Sequence, residues 1–313
     1  MPVIRTPEKR FTNLPDYPYE PNYVEINDMR IHYVDEGEGE VVLCLHGEPS
    51  WSYLYRKMIP ILSEKHRVIA PDFVGFGRSD KFTLREEYTF EMHRDTLLKF
   101  IEELDLKGIT VVVQDWGGLI GLRVVSMIPE RFARLVIMNT GLPTGDEEIP
   151  KAFLMWQRFS KIMPVIPVGM ALKMGSLPSK PGEKRGFRKS LREASRAMPS
   201  EVVKAYVAPF PSSKYKAGAK AWPLMVPVKP DDPVSDEMRK AQEGMKKWEK
   251  PALVMFSDGD PITRGGDEWF RENIPSAKDQ PKIVIEDAGH FLQERKGPEI
   301  ARHILDFIER TPA

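Results

Sequence analysis

Cysteine is almost missing from this chain: 313 residues contain one, Cys44. A lone thiol rules out an internal disulfide and any multi-cysteine metal site. Its place inside Val41-Val42-Leu43-Cys44-Leu45 predicts a buried, inert side chain. Net charge is missing as well. Lys plus Arg and Asp plus Glu each number 46, so nothing electrostatic argues for a nucleic acid or an anionic membrane surface as partner. Long apolar runs are absent; the greasiest stretch, Ile162 to Leu172, is too short to span a bilayer and contains Pro164 and Pro167. Met1 to Asn13 is polar and lacks the apolar core of a signal peptide. The histidines form no H-E-x-x-H or other metal pattern. There are no internal repeats, low-complexity tracts or heptad runs. The expectation is a soluble, cytoplasmic, monomeric protein without a metal.

What is present alternates between strand and helix. Tyr23–Asn27 and Arg30–Val34 alternate in polarity and predict a hairpin joined at Asp28-Met29. Val41–Leu45, Arg67–Ala70, Thr110–Val113 and Leu135–Asn139 read as further strands, the apolar ones as fully buried. Helical spacing runs from Leu54 to Leu62, with Pro60 placed to break it, and from Thr89 to Leu104. The rhythm stops between about Leu142 and Lys220, a proline-rich segment with helical fragments at Phe153–Ile162 and Ser200–Ala208. Its basic run (Lys180, Lys184, Arg185, Arg188, Lys189, Arg192 and Arg196, with Glu183 and Glu193 between) reads as a solvated face. Strands return at Pro251–Phe256 and Lys282–Glu286, and an amphipathic helix, Pro298–Ile308, follows. The pattern predicts an α/β fold: a mostly parallel, eight-stranded sheet flanked by helices, with a helical cap inserted after the sixth strand. The expected division is a core of 1–141 and 221–313 around a cap of 142–220.

Ligands of open α/β sheets gather at the carboxyl ends of strands. Four such ends here carry unusual groups: His46-Gly47-Glu48-Pro49, Gln114-Asp115-Trp116, Asp258-Gly259-Asp260 and Asp287-Ala288-Gly289-His290. In α/β-hydrolase folds the turn after the buried strand carries the nucleophile, usually as G-x-S-x-G, and the chain order is nucleophile, acid, histidine. Asp115 stands where the serine does; the competing reading of Asp115 is a helix N-cap. His290 is the base by position. His32 alternates in a strand, His66, His93 and His303 fall on or near helices, and His46 is expected to bond structurally at the oxyanion turn. The acid is Asp258 or Asp260, and reaching past the strand end favours Asp260. Asn139-Thr140, the other place for an acid, cannot ionise. The backbone N–H groups of Trp116 and Glu48 are the expected oxyanion donors.

These stretches resemble the haloalkane dehalogenases over essentially the full chain. The likeness rests on His46 to Arg56 (HGEPSWSYLYR), Pro71 to Lys81 (PDFVGFGRSDK), Val113 to Gly118 (VQDWGG) and Asp287 to Glu294 (DAGHFLQE). The resemblance implies an α/β-hydrolase fold and cofactor-free cleavage of a carbon–halogen bond by water. An ionised Asp115 can attack a halogenated sp³ carbon without a base; His290, oriented by Asp260, would then activate water against the resulting ester. Indole N–H groups suit a halide held away from water. Trp116 is one donor. The family takes its second from an asparagine after the His-Gly turn or from a cap tryptophan. This chain has Glu48 at the first place, and an ionised carboxylate cannot donate, so the donor is expected from the insertion. Trp156 and Trp222 are the candidates, and Phe153-Leu154-Met155-Trp156 resembles the family's cap segment, which favours Trp156. Phe153, Phe210 and Pro211 are expected pocket walls. An epoxide hydrolase would share Asp115, Asp260 and His290 but needs two cap tyrosines, for which Tyr206 and Tyr215 are available. A carboxylate-bearing substrate would need arginines near the nucleophile, and Arg123 lies two helical turns away.

Overall fold

The computed structural model describes residues 3–180, 182 and 186–312. Glu183, Lys184 and Arg185 of the basic run lie outside the described residues, as does the Arg188 side chain, whereas Lys180, Lys189, Arg192 and Arg196 are exposed.

Eight strands make the sheet: β1 (Asn22–Ile26), β2 (Met29–Glu36), β3 (Val41–Leu45), β4 (Arg67–Pro71), β5 (Ile109–Gln114), β6 (Phe132–Met138), β7 (Ala252–Ser257) and β8 (Ile283–Ile285). Their order across the sheet is β1-β2-β4-β3-β5-β6-β7-β8. The pairs β1–β2 and β2–β4 are antiparallel and the rest are parallel. Burial on both faces explains the unbroken apolar runs. Val111, Val112 and Val113 of β5 and Val42, Leu43 and Cys44 of β3 are wholly excluded from solvent, each such aliphatic side chain contributing roughly 1.5–3 kcal/mol of transfer free energy. The hairpin turn is Asn27-Asp28, one residue earlier than expected, with Ile26 opposite Met29. Both turn residues take positive φ, 51° and 61°, which Asn and Asp tolerate better than Met does.

Helices Phe90–Glu103 and Trp116–Met127 pack together on the sheet, and Ser235–Lys246 lies against Trp116–Met127. Thr89 caps the first of these by accepting the Met92 N–H at 3.1 Å. The stretch after His46 forms a 3₁₀ turn, Ser52–Tyr55, and then a short helix, Ile59–Leu62, which carries Pro60 in its first turn. The last helix runs Leu292–Arg310 and departs from helical geometry at Lys296, two residues before Pro298.

Between β6 and β7 the chain forms Lys151–Ile162, Val168–Gly175, Phe187–Ala197, Ser200–Val207 and Ala217–Met225 before reaching Ser235–Lys246. The helix Ala217–Met225 runs through residue 220. Its Trp222 is fully buried among core side chains: His46, Phe73, Phe76 and Trp116. No helix among the described residues is long and apolar enough to cross a membrane.

Candidate active site

Asp115 occupies the sharp turn from β5 into helix Trp116–Met127, with φ 51° and ψ −126°. That conformation is strained for a residue with a side chain and is held by neighbours. The Asp115 N–H donates to Asn139 O at 3.0 Å, and its carbonyl accepts the Thr140 hydroxyl at 2.7 Å. Two glycines let the helix seat so closely. A Cβ at Gly117 would lie 2.1 Å from Leu45 O, and one at Gly118 2.0 Å from the Thr140 hydroxyl. The Asp115 side chain makes no cap bond to its own helix. It turns outward instead, and Oδ1 accepts the Glu48 backbone N–H at 2.6 Å.

Oδ2 of the same carboxylate lies 3.3 Å from His290 Nε2, and His290 Nδ1 lies 2.9 Å from Asp260 Oδ2. Carboxylate, imidazole and carboxylate therefore stand in line. Asp260 is held by the Ile262 N–H at 2.8 Å and by the Thr263 hydroxyl. Asp258 points elsewhere, 3.3 Å from Lys180 Nζ. Burial works to lower the His290 pKa, but Asp260 and Asp115 outweigh it and the imidazole is pushed up to about 10. Asp260, despite its own burial, is held below its ordinary value chiefly by His290. Asn139 ties the loop down: its amide N–H groups donate to Ser257 Oγ and to the carbonyls of Gly289 and His290, and its oxygen accepts the Ser257 N–H. Gln114 donates from Nε2 to His290 O at 3.2 Å and places the same amide 3.2 Å from His290 Nε2.

This line opens into an apolar cavity of about 560 Å³ whose lining includes Asp115, Glu48, Trp116, Phe153, Trp156 and Met170. A second cavity, about 620 Å³, shares Asp115, Trp116, Phe153 and Ile262 with it and is lined also by Asp146, Glu147 and Glu148. Phe210 and Pro211 are not where expected, and that expectation is corrected. Phe210 is buried edge-on against Phe76, and Pro211 is exposed on the surface.

The two candidate indoles separate cleanly. Trp222 stacks on Trp116 with centroids 4.9 Å apart, and its Nε1 donates to His93 Nε2 at 2.7 Å. Burial pushes His93 down to about 3, so its ring is neutral and accepts that bond. Trp222 thus has no N–H to offer the cavity, whereas Trp156 lines it. His46 bonds structurally: Nδ1 meets Gly47 O, and Nε2 accepts the Phe73 N–H, each at 3.0 Å. Tyr206 is fully buried, and its hydroxyl donates to Glu294, which also pairs with Arg56. Arg123 is bonded to Glu237 at 2.9 Å.

Sequence reasoning overlooked three features. These are the Gln114 amide beside the imidazole, the His93 lock on Trp222, and the burial of the Glu48 carboxyl, expected to be ionised, with Oε1 unpartnered in the cavity wall. Gln114 carried a signal, a polar residue closing an apolar strand immediately before Asp115; His93 and Trp222 meet only through packing.

Among known proteins, the family model of the alpha/beta hydrolase fold matches residues 40–296. A haloalkane dehalogenase of Psychrobacter cryohalolentis is 46% identical over 100% of both chains. Haloalkane dehalogenase 1 of Mycobacterium tuberculosis is 42% identical over 99% of this chain and 100% of its own. The tetrameric haloalkane dehalogenase structure from Paraglaciecola agarilytica superposes with a TM-score of 0.86 at 37% identity, covering 98% of each chain.

Proposed function

The chain belongs to the haloalkane dehalogenases of the alpha/beta hydrolase fold, and from that premise we propose the residues and steps by which it cleaves a carbon–halogen bond with water. The observation that carries the assignment is the geometry of Asp115. One oxygen takes a backbone N–H, the other faces a carboxylate-backed imidazole, and the flanking cavity is apolar with two indoles in its wall.

A haloalkane in the cavity presents its carbon to Asp115 Oδ2 and its halogen to the N–H groups of Trp116 and Trp156. The carboxylate oxygen attacks, the carbon–halogen bond breaks, and the electron pair leaves with the halide, giving an alkyl ester of Asp115. Few other donors serve the halide in such a dry wall, so the indoles supply stabilisation that grows as its charge develops. Esterification also removes one of the two negative charges that hold His290 protonated. The imidazole pKa therefore drops as the ester forms, His290 gives up its proton to solvent, and the neutral ring is a base when a base is needed. Water attacks the ester carbonyl carbon of Asp115, gives its proton to Nε2, and the carbonyl oxygen carries the developing charge. The Glu48 backbone N–H, already on Oδ1, and the Trp116 backbone N–H are the donors there. Collapse expels the alkoxide, which takes the proton left on the carboxyl, so the alcohol departs and ionised Asp115 and protonated His290 are restored. The balance is R–X plus H₂O giving R–OH, a proton and halide, with no cofactor.

The division into core 1–141 and 221–313 around a cap 142–220 belongs to the same proposal, as do cytoplasmic residence and a monomeric state. Sedimentation distinguishes a monomer from the tetramer reported for the Paraglaciecola agarilytica enzyme.

The test is bromide release from 1,2-dibromoethane by wild type and Asp115→Ala, with styrene oxide hydrolysis alongside. Alanine is used because an asparagine beside an activated water could revert to aspartate. Bromide release that vanishes in the variant supports the assignment. Diol from styrene oxide without bromide release would move the chain to the epoxide hydrolases, a reading disfavoured by Tyr206 being bonded to Glu294.

A further inference from the structure

The Glu48 carboxyl is a buried acid for which the reaction above has no use. Its backbone serves Asp115, while its side chain enters the wall of the cavity that holds Trp116 and Trp156. The residue is 6% exposed, and Oε1 has no hydrogen-bond partner. The Trp156 indole N–H faces it. Among the described residues, no lysine or arginine lines this cavity. The titratable groups facing Glu48 are Asp115 from the turn after β5 and His290 from the loop after β8, with Asp260 behind His290. His46, on the same turn as Glu48, is neutral, its pKa lowered by burial, and its ring is engaged by Gly47 and Phe73.

An ionised carboxylate and a halide repel each other strongly in a dry cavity. A protonated carboxyl does the reverse, because its O–H is a donor, and apolar surroundings can keep a carboxylic acid neutral near pH 7 for such a purpose. Resting on the halide site proposed above, we propose that Glu48 is a third halide ligand, and that the enzyme holds halide only while Glu48 carries its proton.

Burial and the Asp115 carboxylate both push the Glu48 carboxyl well above the ordinary range, outweighing His290 and the Trp156 indole, which act in the other direction. When Asp115 becomes a neutral ester its charge is lost, but the new halide replaces it and keeps the proton in place. Above the pH at which Glu48 ionises in the free enzyme, halide departure is coupled to proton loss: the complex of halide with neutral Glu48 dissociates to ionised Glu48, a free proton and free halide. Asp260 and Asp115 raise the His290 imidazole in the free enzyme, and Glu48→Gln leaves both carboxylates in place, so it separates a His290 titration from that of Glu48.

The test is bromide quenching of tryptophan fluorescence between about pH 5 and about pH 9, a window that begins above the ordinary carboxylate range. In wild type the bromide Kd should be flat until Glu48 ionises and should then rise about tenfold per pH unit. Glu48→Gln keeps an N–H donor without a titration, so its Kd should vary less than about twofold across the window. A flat wild-type profile, or a slope that persists in Glu48→Gln, overturns the proposal while leaving the halide site intact. Quenching absent at every pH overturns the halide site and the proposal with it. Because Glu48→Gln alters a buried group, proton uptake by wild type is read as well, with an indicator dye in weak buffer. Above the ionisation of Glu48, up to about one proton per bromide should be taken up; none taken up anywhere in the window refutes the coupling.

Discussion

Asp260→Asn isolates the second chemical step from the first. Asp260 touches His290 Nδ1 at 2.9 Å and is itself held by the Ile262 N–H and the Thr263 hydroxyl. An asparagine fits the same space, with its oxygen kept by Ile262 and its NH₂ turned toward the imidazole. That NH₂ can only donate to Nδ1, which places the ring proton on Nε2, the atom that faces Asp115. A ring already carrying a proton there cannot take one from water. A substitution of this kind in a comparable triad lowers turnover by roughly 10⁴, about 5.4 kcal/mol of barrier. The displacement step uses neither His290 nor Asp260, so its rate should change little. Rapid mixing with 1,2-dibromoethane should show a burst of about one bromide per active site followed by near silence. Stability gives a second readout. The raised His290 pKa contributes stability that is complete below its ordinary 6.5 and is lost as pH rises through about 10. The lowered Asp260 pKa contributes stability that is present above its ordinary 3.8 and is lost as pH falls below that. Wild type should therefore exceed Asp260→Asn most between these limits and converge with it toward both. Slow bromide release from the first turnover, without a burst, would refute the separation of steps.

His290→Ala should also stop after displacement; intact mass should show a stable adduct of substrate minus halide, and peptide mapping should find it on Asp115, whereas an adduct elsewhere would sink the mechanism. Trp156→Phe should abolish most bromide quenching with little effect on urea unfolding. Trp222→Phe should do the opposite, because it strands the buried His93 Nε2 and costs about 1–3 kcal/mol; the reverse pattern would show that the indoles are misassigned. Removing one partner of the buried Arg56–Glu294 pair, as in Glu294→Leu, leaves an uncompensated charge and should cost about 3–5 kcal/mol in urea titrations; a change under about 1 kcal/mol would show that water reaches the guanidinium.

The sheet was readable because its inner strands are buried on both faces. Val41–Leu45 and Thr110–Val113 had to be continuously apolar. Strand ends blurred wherever burial was partial, as in β8, where Ile283 is half-buried and Val284 exposed. The hairpin turn slipped by one because alternation does not reveal which residues take positive φ. In the inserted segment, Val168–Gly175 and Phe187–Ala197 escaped notice because prolines and charge obscured the period. Asp115, Asp260 and His290 could be picked out because strand ends converge in this topology whatever the loops do. Pocket walls such as Phe210 had no such guide, since which face of a helix meets the cavity depends on packing across the chain. Sequence reasoning sets the Glu48 carboxyl aside as a halide donor on the assumption that it is ionised; that it is buried with Oε1 unpartnered became visible only with its neighbours in place.

The position of Trp222 bears on how such enzymes can be recombined. Substrate range in this scaffold invites exchange of the inserted helices between relatives, and a splice at residue 220 looks natural from composition. That cut falls within Ala217–Met225 and separates the helix's first turn from an indole that braces Trp116 and occupies His93. A chimera joined there would inherit one protein's approach to the sheet and another's keystone. Moving the splice beyond Met225, and transferring Phe73, Phe76 and His93 along with the insert, keeps the aromatic joint whole; the unit of exchange is the joint rather than the lid.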